Sequence, residues 1–228
     1  MHLKSMNNNI LLFVKHPENG GVKTRLAKDI GDTAAVSLYK CFVEDILSSL
    51  QSINARIWIC YYPESARDDM AVWLGSNYIY VLQKGENLGK RLQHCFKSSF
   101  DNGFEKTIVL ASDIPEISEN IINNAFKCLE YKDAVIGPSY DGGYYLLGFN
   151  KKSYAAQIFE DISWSTNLVY EETLGKIKAY KLQYSVLDKI NDMDTIDDIR
   201  KFSIRNGNDF SRGLKTKRRI EALFDKVY

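Results

Sequence analysis

The fold is decided by the stretch Thr107-Ile108-Val109-Leu110-Ala111-Ser112-Asp113-Ile114-Pro115. Its aliphatic and β-branched residues give way abruptly to small and acidic ones, which predicts a strand buried on both faces with Asp113 at its carboxyl end. Pro115 removes a backbone donor and restricts the residue before it, so the strand has to end there. In open α/β sheets, ligands bind at this edge. Asp113 is therefore a candidate ligand-binding acid, although an Asp at this place could equally cap a helix beginning near Glu116.

Length and charge limit the class of protein. The chain has 228 residues, 45% hydrophobic and 26% charged, which favours one large α/β domain over two. A net charge of +1 gives no electrostatic basis for binding nucleic acid or an acidic membrane, so we expect small-molecule partners. The four cysteines include no Cys-x-x-Cys pair and the three histidines are dispersed, so the sequence indicates neither a zinc site nor a disulfide framework. Cysteines of this kind fit a reducing cytoplasm. The N-terminus lacks the build of a signal peptide, and no apolar run reaches bilayer length.

Strand and helix patterns alternate around the central stretch, which is typical of a mostly parallel, doubly wound sheet. Strands are predicted over residues 9–15, 56–61, 78–82, 133–138 and 180–187, and helices over 32–50, 68–74 and 117–131. We therefore expect a flexible N-terminus over 1–8, one domain over 9–200 and a C-terminal helical extension over 201–228. The basic run over 215–219 is expected in a solvated helix, with oligomer or nucleic-acid contact as the alternative.

A glycine-bearing loop follows the first predicted strand: Lys15-His16-Pro17-Glu18-Asn19-Gly20-Gly21-Val22-Lys23-Thr24-Arg25-Leu26. Glycines let backbone N–H groups approach an anion closely, and the helical pattern that follows offers its N-terminus. Lys23 and Arg25 supply the countercharge that a di- or triphosphate requires. The loop lacks the Gly-Lys-Ser/Thr of a Walker A motif. Its composition predicts a phosphate cradle, and a solvated basic turn is the alternative.

A second glycine-bearing loop follows the third predicted strand and places Gly89-Lys90-Arg91 in the first turn of a helix. Cations in a first turn oppose the helix dipole unless an anion lies nearby. The loop therefore predicts a second phosphate or ribose contact, with solvated surface charges as the alternative.

Two later stretches are candidates for contact with a substrate. In Ser139-Tyr140-Asp141-Gly142-Gly143-Tyr144, the Asp-Gly pair is the commonest hairpin signal, but aromatic residues, bare backbone and one acid also suit a substrate floor. Trp164-Ser165-Thr166 precedes a helix, so Trp164 is a candidate wall or lid and Ser165 or Thr166 a candidate N-cap.

Acids crowd the start of the last core helix in Asn191-Asp192-Met193-Asp194-Thr195-Ile196-Asp197-Asp198. Asp197 and Asp198 need no role beyond offsetting the helix dipole. Asp192 and Asp194 precede the helix, and carboxylates so close in sequence repel each other unless a cation or solvent intervenes. Asp194 is therefore a second candidate metal ligand.

Together these motifs resemble one family. The stretches are Val22-Lys23-Thr24-Arg25-Leu26, Gly89-Lys90-Arg91, Ser112-Asp113-Ile114-Pro115, Gly137-Pro138 with Asp141-Gly142-Gly143-Tyr144-Tyr145-Leu146, Trp164-Ser165-Thr166 and Asp192-Met193-Asp194-Thr195. Over residues 9–200 the chain resembles the transferases found beside radical-SAM and selenium-domain genes, within the nucleotide-diphospho-sugar transferase superfamily of glycosyltransferase-A fold. The resemblance implies a single-domain, Rossmann-like α/β fold with a mostly parallel central sheet flanked by helices.

The resemblance also implies roles for individual residues. Asp113 and Asp194 match the positions that hold a divalent cation, Mg²⁺ or Mn²⁺, in these folds. The residues expected to bind the nucleotide are Lys15, Gly20, Gly21, Lys23, Arg25, Gly89, Arg91 and Ser112. The residues expected to bind the acceptor are Asp141, Gly142, Gly143, Tyr144, Trp164, Ser165 and Thr166. Catalysis is assigned to Asp113, Lys23, Arg25 and Asp141, the last as the base that steers an acceptor hydroxyl.

One departure leaves the donor open. Many glycosyltransferases of this fold carry Asp-x-Asp after the central strand, but here Pro115 replaces the second acid, as in nucleotidyltransferases. The leaving group is a nucleoside diphosphate in glycosyl transfer and pyrophosphate in nucleotidyl transfer, and both need the same cationic clamp. The first expectation is metal-dependent glycosyl transfer from a nucleotide sugar to a small acceptor. The alternatives are nucleotidyl transfer from an NTP to a small phosphate or sugar phosphate, and a nucleotide-binding module without catalysis. A homodimer is a further option.

Overall fold

A computed structural model describes residues 7–18, 20–206 and 214–224. Most of the segment predicted to be a flexible N-terminus, residues 1–6, lies outside the described residues, as do Asn19 of the first loop and parts of the predicted C-terminal extension. Within the described residues, no helix combines the length and the apolar composition that crossing a bilayer requires.

One seven-stranded sheet organises the molecule. Its strands are β1 (Asn8–Lys15), β2 (Arg56–Tyr62), β3 (Ile79–Leu82), β4 (Lys106–Leu110), β5 (Ala134–Pro138), β6 (Tyr144–Asn150) and β7 (Tyr184–Val186), in the order β3-β2-β1-β4-β6-β5-β7. Among the strands of the described residues, only β6 runs antiparallel to its neighbours, β4 and β5. The predicted single-domain α/β fold with a mostly parallel sheet is confirmed.

Helices cover both faces of this sheet. They are α1 (Thr24–Ile30), α2 (Asp32–Ser49), α3 (Arg67–Leu74), α4 (Leu88–Asp101), α5 (Glu119–Cys128), α6 (Val169–Ala179), α7 (Ile196–Asn206) and α8 (Lys215–Phe224). Strand β4 shows why its sequence is apolar throughout: Ile108 and Leu110 enter the core on one face of the sheet, and Val109 enters the core on the other. A strand buried on both faces loses the alternation of polar and apolar residues.

The strand order places a ligand edge between β1 and β4. The chain forms β2 and β3 on one side of β1 and then crosses to the other side to form β4, so the strand order changes direction at this point. In α/β sheets, crevices open at the carboxyl ends of the strands at such a point. Because β6 is antiparallel, its first residues, beginning with Tyr144, lie at this same edge.

Two predicted helix caps are wrong. Helix α5 begins at Glu119, after Ser118, so Asp113 is too far from its start to cap it. Helix α6 begins at Val169, two residues later than a Thr166 cap would require. Thr166 instead stabilises the preceding turn, because its hydroxyl donates to the Ser163 carbonyl at 2.7 Å and accepts from the Leu168 N–H at 3.2 Å.

The C-terminal helices pack more closely than their composition indicates. The predicted boundary after residue 200 falls inside α7. Ile199 and Phe202, on the two sides of this boundary, both enter the core. Helix α8 is not simply solvated, since Thr216 is buried and the Asp45 carboxylate of α2 accepts hydrogen bonds from the backbone N–H groups of Lys215 and Thr216 at 2.9 and 2.8 Å. These bonds cap α8 from another helix and fix it to the domain.

Candidate active site

The carboxyl ends of β1 and β4 open into a cleft with two connected parts. The part beside the loop after β1, here named the first-loop half, has a volume of about 310 Å³. The part beside the β5–β6 turn, here named the hairpin half, has a volume of about 530 Å³. Leu88, Ala111, Asp113 and Asp194 line both halves, so the cleft is continuous.

Most of the residues predicted from the sequence line this cleft. Those in the first-loop half are Lys15, Gly21, Lys23, Ser112, Asp113 and Asp194. Those in the hairpin half are Arg25, Asp113, Asp141, Gly143, Tyr144, Trp164, Ser165, Thr166 and Asp194. Four predicted residues lie outside both linings: Gly20, Gly89, Arg91 and Gly142.

An ion-paired triad joins the two halves. The Lys23 Nζ lies 2.7 Å from Asp113 Oδ1 and 2.6 Å from Asp194 Oδ1. The lysine side chain is 3% exposed, whereas the side chains of Asp113 and Asp194 are 43% and 35% exposed. The ammonium therefore lies beneath the two carboxylates, on their protein side, and the carboxylates face the cleft.

The charges around this triad are unevenly balanced. Burial tends to lower the pKa of the Lys23 ammonium, but Asp113 and Asp194 more than offset it and the pKa is raised. Burial tends to raise the pKa of Asp194, but Lys23 outweighs it and leaves that pKa lowered. Asp192 shows the opposite balance, because burial and then the charges of Asp141 and Asp194 raise its pKa to about 6. Negative charge is therefore neutralised at Lys23 and in excess near Asp192.

The two carboxylates of the triad fit a divalent cation. They come from distant parts of the chain and already share one cation, the Lys23 ammonium, so they face a common point. Mg²⁺ is typically bound by one or two protein carboxylates, with waters and substrate phosphate oxygens as its other ligands. No group of three or more His, Cys, Asp or Glu side chains in the described part of the chain is arranged to hold a metal. A cation at this pair would thus need ligands from substrate or solvent.

The residue that replaces the second acid of Asp-x-Asp lies elsewhere. Pro115 lines a separate groove together with Glu44 and Trp73. The acid that pairs with Asp113 is Asp194, whose preceding residue, Met193, donates its backbone N–H to the Asp113 carbonyl at 3.2 Å. This bond fixes the segment before α7 against the end of β4.

The hairpin half depends on a tight turn. Asp141 Oδ1 accepts hydrogen bonds from the Ser139 hydroxyl and from the Gly143 N–H, the latter at 2.9 Å. Gly142 has φ +91°, and a Cβ built on it would lie 2.2 Å from the Asn167 carbonyl oxygen. Only glycine allows this close approach, which brings the segment before α6 against the turn.

The second glycine-bearing loop brings Leu88 to the cleft but not its two predicted ligand contacts, Gly89 and Arg91. The Arg91 guanidinium stacks 3.9 Å from the Tyr62 ring centroid and donates to the Gly85 carbonyl at 3.0 Å. A Cβ on Gly89 would lie 2.7 Å from the indole Nε1 of Trp164. Gly89 therefore makes room for Trp164, which lines the hairpin half. Neither Gly89 nor Arg91 lines either half of the cleft in this structure, and their contact with a phosphate or ribose stays a prediction.

One family model covers the middle of the chain. The family described as "Uncharacterized protein conserved in bacteria (DUF2064)" matches residues 46–166, more than half of the sequence. The chain belongs to the DUF2064 family. The matched segment includes Asp113, Asp141 and Trp164, whereas Lys23 and Asp194 lie outside it.

The chain is also similar to individual proteins. A 2-phospho-L-lactate guanylyltransferase of Methanocaldococcus infernus (strain DSM 11812 / JCM 15783 / ME) is 28% identical over 209 residues, covering 90% of this chain and 88% of that protein. A crystal structure from Desulfovibrio desulfuricans G20, provisionally named a nucleotide-diphospho-sugar transferase, is 36% identical with a TM-score of 0.92, covering 96% of this chain and 97% of that one. The 4-diphosphocytidyl-2C-methyl-D-erythritol synthase of Anaerococcus prevotii DSM 20548 shares the fold, with a TM-score of 0.57 and 13% identity over 87% of this chain and 97% of that one. The predicted class, a transferase, is confirmed by the first two of these likenesses, and the third shows the fold alone.

The DUF2064 cleft also contains residues that sequence reasoning missed. Tyr39 lies in the apolar stripe of α2 and its ring is buried, but its hydroxyl hydrogen-bonds the Ser112 hydroxyl at 2.9 Å and accepts from the Lys15 N–H at 3.0 Å. A tyrosine within an apolar helical stripe carries no sequence signal that its hydroxyl reaches a cleft. Gln83, Ser139, Asn167 and Asp192 also line the cleft. Of these, only Asp192 had a signal, namely its closeness in sequence to Asp194.

Proposed function

We propose that this protein is a metal-dependent nucleotidyltransferase, which joins the nucleotidyl group of an NTP to a small acceptor and releases pyrophosphate. The observation that carries this proposal is the pairing of Asp113 with Asp194 at the junction of the two halves. The paired acids come from two segments, as the resemblance to nucleotidyltransferases implies, and not from one Asp-x-Asp motif. The guanylyltransferase relative from Methanocaldococcus infernus supports the same choice.

In this proposal, Asp113 and Asp194 would hold Mg²⁺ or Mn²⁺, which when bound neutralises charge on the phosphates and on the departing pyrophosphate. The chain's own cations bind and orient the triphosphate. Lys15 lines the first-loop half, and Arg25 is an exposed guanidinium that lines the hairpin half, so positive charge reaches both halves of the cleft. Cations placed where negative charge develops are a main source of rate enhancement in phosphoryl chemistry.

The hairpin half is proposed to bind the acceptor. Trp164 and Tyr144 line it as aromatic walls, and Asp141 and Asp192 place two acids within it. Asp141 is the proposed group that orients an acceptor hydroxyl, because its turn is fixed by hydrogen bonds that involve a single carboxylate oxygen. The other predicted site residues keep the roles proposed for them, with two exceptions. Gly89 and Gly142 are proposed to shape the cleft without touching the ligand, and Arg91 is proposed to stack on Tyr62 outside it.

Glycosyl transfer from a nucleotide sugar is the second candidate. The name of the Desulfovibrio desulfuricans G20 relative, which is 36% identical, favours it. The two reactions differ in their leaving groups, since only nucleotidyl transfer releases pyrophosphate from an NTP.

This difference provides the test. The protein would be incubated with Mg²⁺, with each of the four α-³²P-labelled NTPs in turn, and with a panel of phosphorylated hydroxy acids and sugar phosphates. We expect pyrophosphate release with label appearing in an acceptor adduct, and neither with Asp113→Asn. Release of a nucleoside diphosphate from nucleotide sugars, without any pyrophosphate from NTPs, would instead establish glycosyl transfer. A thermal-shift panel of nucleotides beforehand would select the base, because a ligand bound to the native state raises its melting temperature.

Several narrower expectations go with this proposal. They are a cytoplasmic location, partners limited to an NTP or nucleotide sugar and a small acceptor, no nucleic-acid or membrane partner, and possible formation of a homodimer. The domain limits and the grouping with transferases beside radical-SAM and selenium-domain genes likewise stay predictions.

A further inference from the structure

We infer that Lys23 is a positioning residue that occupies the place of the divalent cation between Asp113 and Asp194, and that the ammonium and the metal compete for these carboxylates. The inference rests on the proposed function only in that the site takes a divalent cation. It changes the role of Lys23 from a phosphate ligand alone to the group that holds the metal site together before metal binds.

The distances carry the first step. Both carboxylates place an oxygen within 2.7 Å of the same nitrogen, which is charge-assisted hydrogen-bond contact. A magnesium ion would need such oxygens at about 2.0–2.1 Å, with its own two positive charges close to the ammonium. Two cations so close repel each other strongly in a partly buried site. The ammonium and the ion are therefore alternatives at these two oxygens.

The backbone carries the second step. Lys23 has φ +49°, a left-handed conformation that is unfavourable for a residue with a Cβ. Its carbonyl accepts from the Ala27 N–H at 2.8 Å, so the residue is also the N-cap of α1. Glycine would be the easier residue at such a position. A lysine is nevertheless found here, and its side chain reaches from the first loop to two acids on distant segments. These two ion pairs account for a lysine at this position.

The exposure of the triad carries the third step. The carboxylates open into the cleft, while the lysine side chain is 3% exposed and its ammonium lies 5.6 Å from the Phe42 ring centroid. An ion entering from the cleft meets the carboxylates first. Lys23 also lines the first-loop half, where the triphosphate is proposed to bind, so a nucleotide offers the displaced ammonium new partners. Metal and nucleotide should then strengthen each other's binding.

The test measures Mn²⁺ binding directly, by the loss of the free-ion signal in electron paramagnetic resonance, without any nucleotide. The proteins are wild type, Lys23→Met, Lys23→Arg, and the control Lys28→Met, which removes an exposed lysine of α1. We expect Lys23→Met to bind Mn²⁺ at least tenfold more tightly than wild type, and Lys23→Arg and Lys28→Met to stay within threefold of wild type. Lys23→Met should also melt several degrees lower without metal and regain that difference with Mn²⁺, because its carboxylates have lost their counter-ion.

Mn²⁺ binding by Lys23→Met that is equal to or weaker than that of wild type would overturn the inference. If Lys23→Met does not fold, Lys23→Gln replaces it, with the same expected tightening and the same contrary result. An Asp113→Asn variant shows whether the measured ion is at this pair, since unchanged Mn²⁺ affinity there would also overturn the inference. Failure to transfer a nucleotide would leave all of these Mn²⁺ results unchanged, so the two proposals fail separately.

Discussion

The first-loop half and the hairpin half of the cleft are built in different ways. The first-loop half lies at the ends of two parallel strands, β1 and β4, which their register aligns at one edge of the sheet. The hairpin half lies beside an antiparallel strand pair and depends on the close approach of Gly142 to Asn167. The first-loop half contains the buried Lys23, and the hairpin half contains the acids Asp141 and Asp192. The comparison teaches that the aligned ends of β1 and β4 position Lys15, Ser112 and Asp113 in the first-loop half, whereas loop packing positions the residues proposed for the acceptor.

The largest expected effect tests the point that both halves share. Asp113→Asn removes one carboxylate from the Lys23 pair, so we expect pyrophosphate release to fall about 10²–10³-fold, as when a charge-stabilising group is lost. The control is Asp68→Asn, an exposed acid at the start of α3 that should change the rate less than twofold. If both substitutions changed the rate of pyrophosphate release equally, Asp113 would have no role in the reaction.

The next effect tests the packing of the hairpin half. Gly142→Ala forces a Cβ against the Asn167 carbonyl, and we expect it to lower the free energy of unfolding by about 3 kcal/mol, combining overpacking with left-handed strain. Gly103→Ala is the matched control, since Gly103 has φ +89° with open space around it, and should cost about 1 kcal/mol from the backbone alone. Urea unfolding of both variants measures the difference. Equal losses would mean that the close approach to Asn167 does not hold this half together.

A smaller effect tests whether Gly89 supports Trp164 of the hairpin half or binds the nucleotide. A Cβ there would push on Trp164, so we expect Gly89→Ala to lower the melting temperature by several degrees while the NTP dissociation constant changes less than about threefold. Gly175→Ala, on an exposed helical glycine with open space around it, should stabilise the protein by up to about 1 kcal/mol. Calorimetry measures the NTP affinity of Gly89→Ala. A tenfold loss of affinity would show that Gly89 contributes to nucleotide binding, as the sequence predicts.

The smallest effect tests whether Arg91 of the second loop contributes to nucleotide binding. Because Arg91 stacks on Tyr62 outside the cleft, Arg91→Met should weaken NTP binding by less than about threefold. Arg67→Met provides the matched control, as Arg67 stacks 4.3 Å from the Tyr80 ring centroid, also outside the cleft. Calorimetry with Mg²⁺ measures both variants. A tenfold loss confined to Arg91→Met would show that this arginine turns toward bound nucleotide.

The sequence predictions succeeded for features that local sequence sets and failed for features that depend on packing. The strand that leads to Asp113, the loop carrying Lys23, and the parallel sheet were predictable because each is set by local composition and by the geometry of parallel strands. The helix caps assigned to Asp113 and to Ser165 or Thr166 were wrong, because cap position depends on where the following helix can pack. The role of Tyr39 was missed because a buried ring and a hydroxyl at a cleft look identical in sequence.

The sequence by itself determined the order of strands and helices, the acid after the central strand, and the cationic loop after the first strand. These features follow from periodicity and from residue chemistry over short spans of chain. Only the tertiary structure decided that Lys23 bridges Asp113 to Asp194, which lie 81 residues apart in the printed sequence, and that Arg91 faces Tyr62. The physical reason is that the partner of a charged side chain is fixed by the packing of distant segments, which no local pattern encodes.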